Sequence, residues 1–336
     1  MRKIAFLTIL TALIMTSCCN QSQKEKAAIA KLDTMFQELY PADEPGAAVL
    51  ILKGDEIVYD KGFGIADLEA GAKIDGNTFF NIASVSKQFT AVAMLQLAEQ
   101  GKISLQDPVK KYFPEFQADF FNDITIAHLL SHTSGIGDYR PREDRDFVLY
   151  ATDEQCYKYM ETLDKLHFTP GTEYQYMNPT FQLCYIIIQR VTGQSFEQYM
   201  KDNIFTPAGM DQTVYFSPDK NIPNMSHAYI PVEEKESASN TDSDRTPEAQ
   251  AAAKKQQETA PVIGNWKEYD YGQETFFATK ADGGIYTSTH QFVQWEKALR
   301  NAVVASAESI KNAHTPKIQV SGSKFSSYQN RPHTHY

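Results

Sequence analysis

Apolar and polar residues follow two different periods in the first hundred positions of the chain. Short apolar runs at residues 47–52 and 57–63 are separated by Lys53-Gly54-Asp55-Glu56, which has the composition of a turn. The two runs therefore predict an antiparallel hairpin. Before them, apolar residues recur at helical spacing between Ala27 and Leu39, which predicts a helix that packs on a sheet.

The most apolar helical segment runs from Ser84 to Gln100, and Gly101 follows it as a stop signal. Apolar residues cover most of its surface, so this helix is predicted to be buried and central. The same spacing predicts further helices at residues 124–130, 153–163, 178–192, 195–203 and 289–301. The middle of the chain is therefore expected to be mostly helical.

The first 26 residues have the pattern of an export signal and a tether. Arg2 and Lys3 precede an apolar run at residues 4–15, which is too short for a stable membrane anchor. Residues 1–17 are thus predicted to be a signal peptide, and Cys18 resembles the lipid-attachment cysteine of bacterial lipoproteins. The mature protein would be an envelope lipoprotein facing the periplasm or the exterior, held to the membrane by a polar tether at residues 18–26. An ordinary secretory signal cleaved nearby is the alternative.

Neither nucleic acid nor a nucleotide is an expected partner. The 336 residues include 32 Lys and Arg against 42 Asp and Glu, a net charge of −10, and no segment concentrates the basic residues. Gly62-Phe63-Gly64 is followed by the turn-like Asp67-Leu68-Glu69-Ala70-Gly71 rather than by a helix, which argues against a dinucleotide loop. No cofactor is predicted.

Two further features concern the body of the protein. Residues 231–261 contain no aromatic residue and no apolar period, which predicts a mobile surface loop. Cys156 and Cys184 lie in apolar helical patterns. In an exported protein they could form a disulfide, but buried free thiols are equally ordinary, so both alternatives stay open.

The pattern Ser-x-x-Lys occurs at Ser84, Ser217 and Ser321, and its context separates the three copies. Only Ser84 begins a buried helix, which places Lys87 one turn later on the same face. A serine hydroxyl is a weak nucleophile until a neighbouring base takes its proton, and a lysine can do so when burial lowers its pKa. Ser84 and Lys87 are therefore candidate nucleophile and base; a helix cap and a solvated lysine are the alternative.

A second candidate element is the segment from Pro170 to Asn178, which turns, extends briefly and enters a helix. This short connection presents Tyr176 and Asn178. A tyrosine hydroxyl near Ser84 could pass a proton to a leaving group, and an asparagine amide could hold a substrate carbonyl. A core tyrosine and a helix cap are the structural alternative.

Four segments in order resemble the serine beta-lactamase-related family, in particular its class C beta-lactamase and D-alanyl-D-alanine carboxypeptidase branch. They are Ser84-Val85-Ser86-Lys87, Leu129-Leu130-Ser131-His132-Thr133-Ser134-Gly135, the Pro170–Asn178 stretch, and Ala281-Asp282-Gly283-Gly284-Ile285-Tyr286. The resemblance covers about residues 41–301. It implies an α/β fold of beta-lactamase and transpeptidase type, with an antiparallel sheet packed by helices and a mostly helical lobe.

The resemblance also assigns roles to site residues. Ser84 would be the acylated nucleophile, Lys87 its proton acceptor, Tyr176 a partner in proton transfer and Asn178 a substrate-positioning residue. His132 and Ser134 would lie in a structural turn. His128 and His132 have a spacing that can bind zinc, but their leucine neighbours favour packing, so no metal is predicted.

One element of the family pattern has no convincing copy. The family carries a third motif, a basic or His residue followed by Thr or Gly and then Gly, on a strand near the C-terminus. Its absence predicts a chain that lacks C-terminal sheet strands and one oxyanion donor. The expected function is a monomeric, metal-independent serine hydrolase acting on amide, lactam or ester carbonyls of a small molecule or peptide. A noncatalytic lipoprotein that binds envelope peptides, or an inactive fragment, is the alternative.

Overall fold

The computed structural model describes residues 23–137, 151–217, 222–232, 262–268 and 279–316. The chain divides into two compact units, one up to Gly76 and the other from Asn77. The predicted signal peptide, Cys18 and nearly all of the predicted loop at 231–261 lie outside the described residues and stay predictions. Within the described residues, no helix is long and apolar enough to span a membrane.

The first unit contains a helix and two strand pairs. Helix α1 spans residues 23–39. The strands are β1 (Ala47–Lys53), β2 (Glu56–Phe63), β3 (Ile65–Asp67) and β4 (Ala72–Lys73). Strands β1 and β2 form the predicted antiparallel hairpin, with Leu50 opposite Asp60, and β3 pairs with β4.

Helix α1 packs on the hairpin through one aromatic residue and one carboxylate. The ring centroid of Phe36 lies 5.4 Å from that of Phe63. Asp33 accepts hydrogen bonds from the hydroxyl of Tyr59 and the amine of Lys61, each at 2.7 Å. These contacts confirm the predicted packing of a helix on a sheet in this unit.

Helix α1 includes residues 23–26, which were predicted to belong to the polar tether. The segment Gln23-Lys24-Glu25-Lys26 consists of good helix formers, and Glu25 forms an ion pair with Lys53. The sequence pattern missed this extension because its residues are all polar, and an apolar period marks only the part of a helix that is buried.

Gly62 lies in β2 and has a packing role. A Cβ atom at this position would lie 1.8 Å from the carbonyl oxygen of Ile74. Only glycine lets the two backbone segments approach this closely. The Gly62-Phe63-Gly64 segment is thus the end of β2 and the bend before β3, and the predicted turn follows at residues 68–71.

The second unit holds the remaining helices and strands. Its helices are α2 (Lys87–Glu99), α3 (Ile126–Leu130), α4 (Asp153–Met160), α5 (Pro179–Thr192), α6 (Phe196–Met200), α7 (Thr206–Ala208), α8 (Thr289–Arg300) and α9 (Ala307–Ala313). Its strands are β5 (Phe80–Asn81), β6 (Val214–Tyr215), β7 (Tyr229–Pro231), β8 (Val262–Ile263), β9 (Trp266–Glu268) and β10 (Ile285–Thr287).

Helix α2 is the centre of this unit, as predicted. Phe89, Met94 and Leu97 are fully buried in one continuous core. The ring of Phe89 lies 4.3 Å from that of Trp295 on α8, centroid to centroid. Burying large apolar side chains of this kind contributes about 1.5–3 kcal/mol each to folding, so the core fixes the position of α2.

Two short antiparallel sheets lie in the second unit, with strand orders β5-β10-β6 and β7-β9-β8. In the first, Tyr286 pairs with Asn81 and Ile285 with Tyr215. Because β5 leads directly toward α2, this pairing places the residues before β10 beside the beginning of α2. Strand β10 thus brings the Ala281–Gly284 segment next to Ser84 and Lys87.

The predicted helices are observed, and their ends differ by a few residues. Helix α4 ends at Met160 instead of residue 163, and α6 ends at Met200, after which a π-helical turn covers Lys201–Phe205. Helix α9 was not predicted. None of its residues is fully buried, so its sequence lacks the apolar period by which helices are recognised.

Cys156 on α4 and Cys184 on α5 are both buried, and no disulfide joins them. Burial raises the pKa of Cys184 to about 12. A thiol with so high a pKa carries almost no thiolate at neutral pH and is therefore a poor nucleophile. The sequence left open whether Cys156 and Cys184 form a disulfide, and in the structure they do not.

Candidate active site

The turn before α2 presents Ser84 to solvent. Strand β5 ends at Asn81, and residues Ala83–Ser86 form a single 3-10 turn. Ala83 has a φ of 44°, in the left-handed region that side chains other than glycine seldom adopt. The Asn81 side-chain oxygen accepts the N–H of Ala83 at 2.7 Å, which holds the turn in this conformation.

Lys87 lies behind Ser84 and is only 7% exposed. Its amine nitrogen is 3.2 Å from Ser84 Oγ, 2.8 Å from Asn178 Oδ1 and 2.8 Å from the carbonyl oxygen of Asp282. An ammonium can donate to all three oxygens, whereas a neutral amine donates to two of them and turns its lone pair toward the Ser84 hydroxyl proton. The exposed hydroxyl and the buried amine are the arrangement that the Ser-x-x-Lys pattern predicted.

Asn178 and Tyr176 complete the cluster from the other side. Asn178 occupies the N-cap position of α5, but its side chain makes no capping hydrogen bond and binds Lys87 instead. The Lys87 amine lies 5.1 Å from the ring centroid of Tyr176 and 5.5 Å from that of Phe181. These aromatic faces attract a cation and keep bulk water from the amine.

The structure therefore brings together all four residues that the sequence pointed to in the folded chain, Ser84, Lys87, Tyr176 and Asn178. It also supplies a group that the sequence did not indicate, the main-chain carbonyl of Asp282. Any residue has such a carbonyl, so no side-chain pattern could have pointed to it. The only related signal was the position of Asp282 within a segment rich in glycine.

His132 holds the segment that carries Tyr176. Its ring Nδ1 accepts the N–H of Met177 at 3.2 Å, and its carbonyl oxygen accepts the N–H of Gln175 at 3.0 Å. The two bonds fix the backbone on both sides of Tyr176, and the His132 and Tyr176 rings lie 4.6 Å apart. Burial and the charge of Lys87 lower the pKa of His132 to about 3. His132 is therefore neutral at physiological pH.

This lowered pKa predicts a specific acid sensitivity. The unfolded chain binds a proton at His132 below pH 6.5 and the folded chain only near pH 3, so stability is complete above pH 6.5 and falls between these values. We expect His132 to contribute a loss of about 1.4 kcal/mol per pH unit in that window. Urea unfolding at pH 7, 5.5 and 4 measures this change in the free energy of unfolding.

His132→Asn is the matched variant. Asparagine tolerates the left-handed backbone at this position, where φ is 57°, and its Oδ1 can accept the Met177 N–H in place of Nδ1. The variant should unfold with a correspondingly smaller pH dependence. An equal pH dependence in both proteins would show that His132 is not the group that titrates.

The two histidines with zinc-binding spacing use their Nδ1 atoms for the backbone. His128 Nδ1 accepts the N–H of Thr125 at 3.2 Å, which forms a capping box at the beginning of α3. His132 Nδ1 accepts the N–H of Met177, as described above. In the parts of the chain that the structure describes, no three His, Cys, Asp or Glu residues form a group that could hold a metal ion.

Two curated proteins illustrate what this chain is similar to. It is 34% identical to Protein flp from Staphylococcus aureus strain MW2 over 202 residues, which cover 58% of this chain and 39% of that protein. It is 31% identical to penicillin-binding protein 4* from Bacillus subtilis strain 168 over 214 residues, 59% of this chain and 45% of that one. The matched regions span less than half the length of these relatives.

Solved structures share the fold. The octameric penicillin-binding protein homologue from Pyrococcus abyssi has a TM-score of 0.67 at 25% identity, over 88% of this chain and 61% of that one. The D-amino acid amidase from Ochrobactrum anthropi SV3 has a TM-score of 0.61 at 21% identity, over 80% of this chain and 70% of that one. This likeness shows a shared fold alone. The model of the family described as beta-lactamase matches residues 32–328. The chain belongs to the beta-lactamase family.

Proposed function

We propose that this chain is a serine hydrolase that forms an acyl-enzyme at Ser84 on amide, lactam or ester carbonyls. One observation carries the proposal: the buried Lys87 amine lies 3.2 Å from the exposed Ser84 hydroxyl and is held there by two further oxygens. A base at hydrogen-bond distance, fixed in place, is what a serine needs to become a nucleophile.

The proposed reaction has two steps. Ser84 Oγ attacks the carbonyl carbon while its proton passes to the neutral Lys87 amine, and the leaving nitrogen or oxygen then takes a proton as its bond to carbon breaks. Tyr176, whose ring lies beside the amine, is the proposed relay to the leaving group. A water molecule then attacks the ester carbonyl, which releases the acid and restores Ser84.

The family membership and the names of the relatives support a narrower choice of substrates. The names mention penicillin binding and D-amino acid amides, so candidate substrates are β-lactams and peptides or amides of D-amino acids. A small ester is the third candidate, because a serine nucleophile attacks an ester carbonyl with a lower activation free energy than an amide carbonyl. The Asn178 amide beside Lys87 is proposed to help orient the substrate carbonyl.

A substrate comparison tests the proposal. The full chain is incubated with nitrocefin, p-nitrophenyl acetate and a D-Ala-D-Ala peptide, and the initial rates are compared with those of buffer. We expect turnover of at least one substrate that survives EDTA treatment. Absence of turnover, together with absence of a covalent intermediate, would contradict the proposal and favour a noncatalytic protein that binds envelope peptides.

The noncatalytic alternative has one specific observation in its favour. The three oxygens around the Lys87 nitrogen also fit an ammonium, which cannot take the Ser84 proton. A slow acylation at Ser84 without release of product would indicate a binding protein that traps its ligand.

A further inference from the structure

A buried carboxyl group outside the four ordered segments lies next to the site. Asp153 is the first residue of α4 and is 1% exposed. Its Oδ2 accepts the N–H of Lys280 at 2.6 Å, and its Oδ1 lies 3.4 Å from the nitrogen of Ala281, which also donates to it. Asp153 therefore binds two successive backbone amides of the segment that leads into β10.

The same segment holds the catalytic amine from the opposite side. The carbonyl of Asp282 accepts the Lys87 amine at 2.8 Å, and the carbonyl of Ala281 accepts the Thr90 hydroxyl at 2.8 Å. Lys87 and Thr90 are one turn apart on α2. The segment is thus bound by α2 through its carbonyls and by Asp153 through its amides.

We propose that Asp153 is a positioning residue for Lys87: by binding the amides of Lys280 and Ala281, it sets the place of the Asp282 carbonyl that orients the amine toward Ser84. The inference rests on the proposed function of Ser84 and Lys87. It assigns Asp153 no contact with substrate.

The alternative is that Asp153 merely favours the beginning of α4. An acidic residue in the first helical turn interacts favourably with the helix dipole, but such residues work from the surface and need no burial. A carboxyl group that is almost fully buried loses its hydrogen bonds to water, which raises its free energy. Hydrogen bonds from protein donors to its oxygens must compensate for this loss. Here the donors are the backbone amides of Lys280 and Ala281, in the segment that leads into β10, and not amides of α4.

The protonation state of Asp153 determines which substitution is conservative. Burial and the neighbouring Asp282 raise the pKa of the Asp153 carboxyl well above its usual range, which favours the neutral acid. A neutral acid has one carbonyl oxygen and one hydroxyl, and the asparagine side chain has the same shape, with one acceptor and one donor. Asp153→Asn should thus preserve the contact with Lys280, whereas Asp153→Leu removes every acceptor and keeps the branched shape of the side chain.

The test measures acylation of Ser84 in the full chain with a fluorophosphonate probe, separating the binding constant from the rate constant at saturation. We expect Asp153→Leu to lower the rate constant about 10- to 100-fold per active site, because displacements near 1 Å can cost that much, with the binding constant unchanged. Asp153→Asn should stay within about threefold of the parent protein. A purely structural role would reduce the fraction of active protein but not the rate constant of the remainder.

Glu154→Gln is the matched control, since Glu154 is the next residue on α4 and accepts a hydrogen bond from the Tyr185 hydroxyl at 2.7 Å. The Glu154→Gln variant should be acylated at Ser84 with the parental rate constant. If the leucine variant fails to fold, Asp153→Ser takes its place, because its shorter side chain cannot reach both amides. A parental rate constant in the folded leucine or serine variant would overturn the proposal.

The proposal can fail separately from the proposed function. If the parent protein is acylated and the Asp153 variants are acylated with the same rate constant, only the positioning role of Asp153 is refuted. If the parent protein is not acylated at all, a crystal structure of Asp153→Ser decides the positioning role. The expected result is a Lys87 amine that no longer hydrogen-bonds the Asp282 carbonyl; an unchanged distance of 2.8 Å would refute it.

Discussion

Lys87→Met should lower the acylation rate of Ser84 by about a hundred- to ten-thousandfold, the usual contribution of a positioned general base. Methionine fills the space of the lysine stem but has no group that can take the Ser84 proton. The loss should appear in the rate constant at saturation, because Asn178, the proposed substrate-positioning residue, and the shape of the site remain. Stopped-flow acylation with nitrocefin or a fluorophosphonate measures it.

Lys87→Arg separates the two roles that the amine could have. Arginine keeps a positive charge near Ser84 but stays protonated at any working pH, so it cannot accept a proton. If Lys87 is the base, the arginine variant should be as slow as the methionine variant. An arginine variant that retains most of the parental rate would mean that only the charge at this position matters.

Ser84→Ala should abolish turnover of every substrate in the comparison, because it removes the hydroxyl that lies 3.2 Å from the Lys87 amine and that we propose as the nucleophile. Binding should survive, since the alanine side chain removes one exposed oxygen and leaves the buried core of α2 intact. The measurement pairs initial rates with ligand binding by calorimetry for the same preparation.

The matched control is Ser217→Ala, which removes the serine of another Ser-x-x-Lys copy. We expect parental rates from it, because the sequence places that serine before a proline in a turn and not at the beginning of a buried helix. Equal losses in the Ser84 and Ser217 variants would show that the effect is not specific to the site.

The sequence predicted the scaffold of the site well because that scaffold depends on burial. Helix α2 has an apolar residue on nearly every face, and Gly101 follows its end, so its existence and its end could be inferred. Its beginning was predicted at Ser84, but Ser84 lies in the 3-10 turn that precedes Lys87. The hairpin of β1 and β2 follows from two apolar runs around a turn. Burial also separated the Ser84 copy of Ser-x-x-Lys from the other two.

The contacts that fix the amine could not be predicted in the same way. The acceptor at residue 282 is a backbone carbonyl, and its position follows from the pairing of β10 with β5. Leu129 and Leu130 lie between His128 and His132, whose spacing is typical of either packing or zinc binding. The bond of His132 to the Met177 amide therefore had no separate signal. Asp153 looked like an ordinary acidic residue in a first helical turn.

The Asn178 side chain shows how the structure decides between two readings of one residue. An asparagine before a proline at the beginning of a helix is typical of an N-cap. In the structure its oxygen binds the Lys87 amine and makes no capping bond. The α5 helix therefore lacks the capping bond that usually contributes about 1 kcal/mol, because the Asn178 oxygen binds the Lys87 amine instead.

The most direct test of the central claim is the identification of the residue that becomes covalently modified. The full chain is treated with a penicillin or a fluorophosphonate, its intact mass is measured, and the modified peptide is sequenced by mass spectrometry. We expect one adduct per chain, on Ser84, and its loss in Ser84→Ala. An adduct on any other residue, or an unmodified chain after prolonged exposure to both reagents, would contradict it.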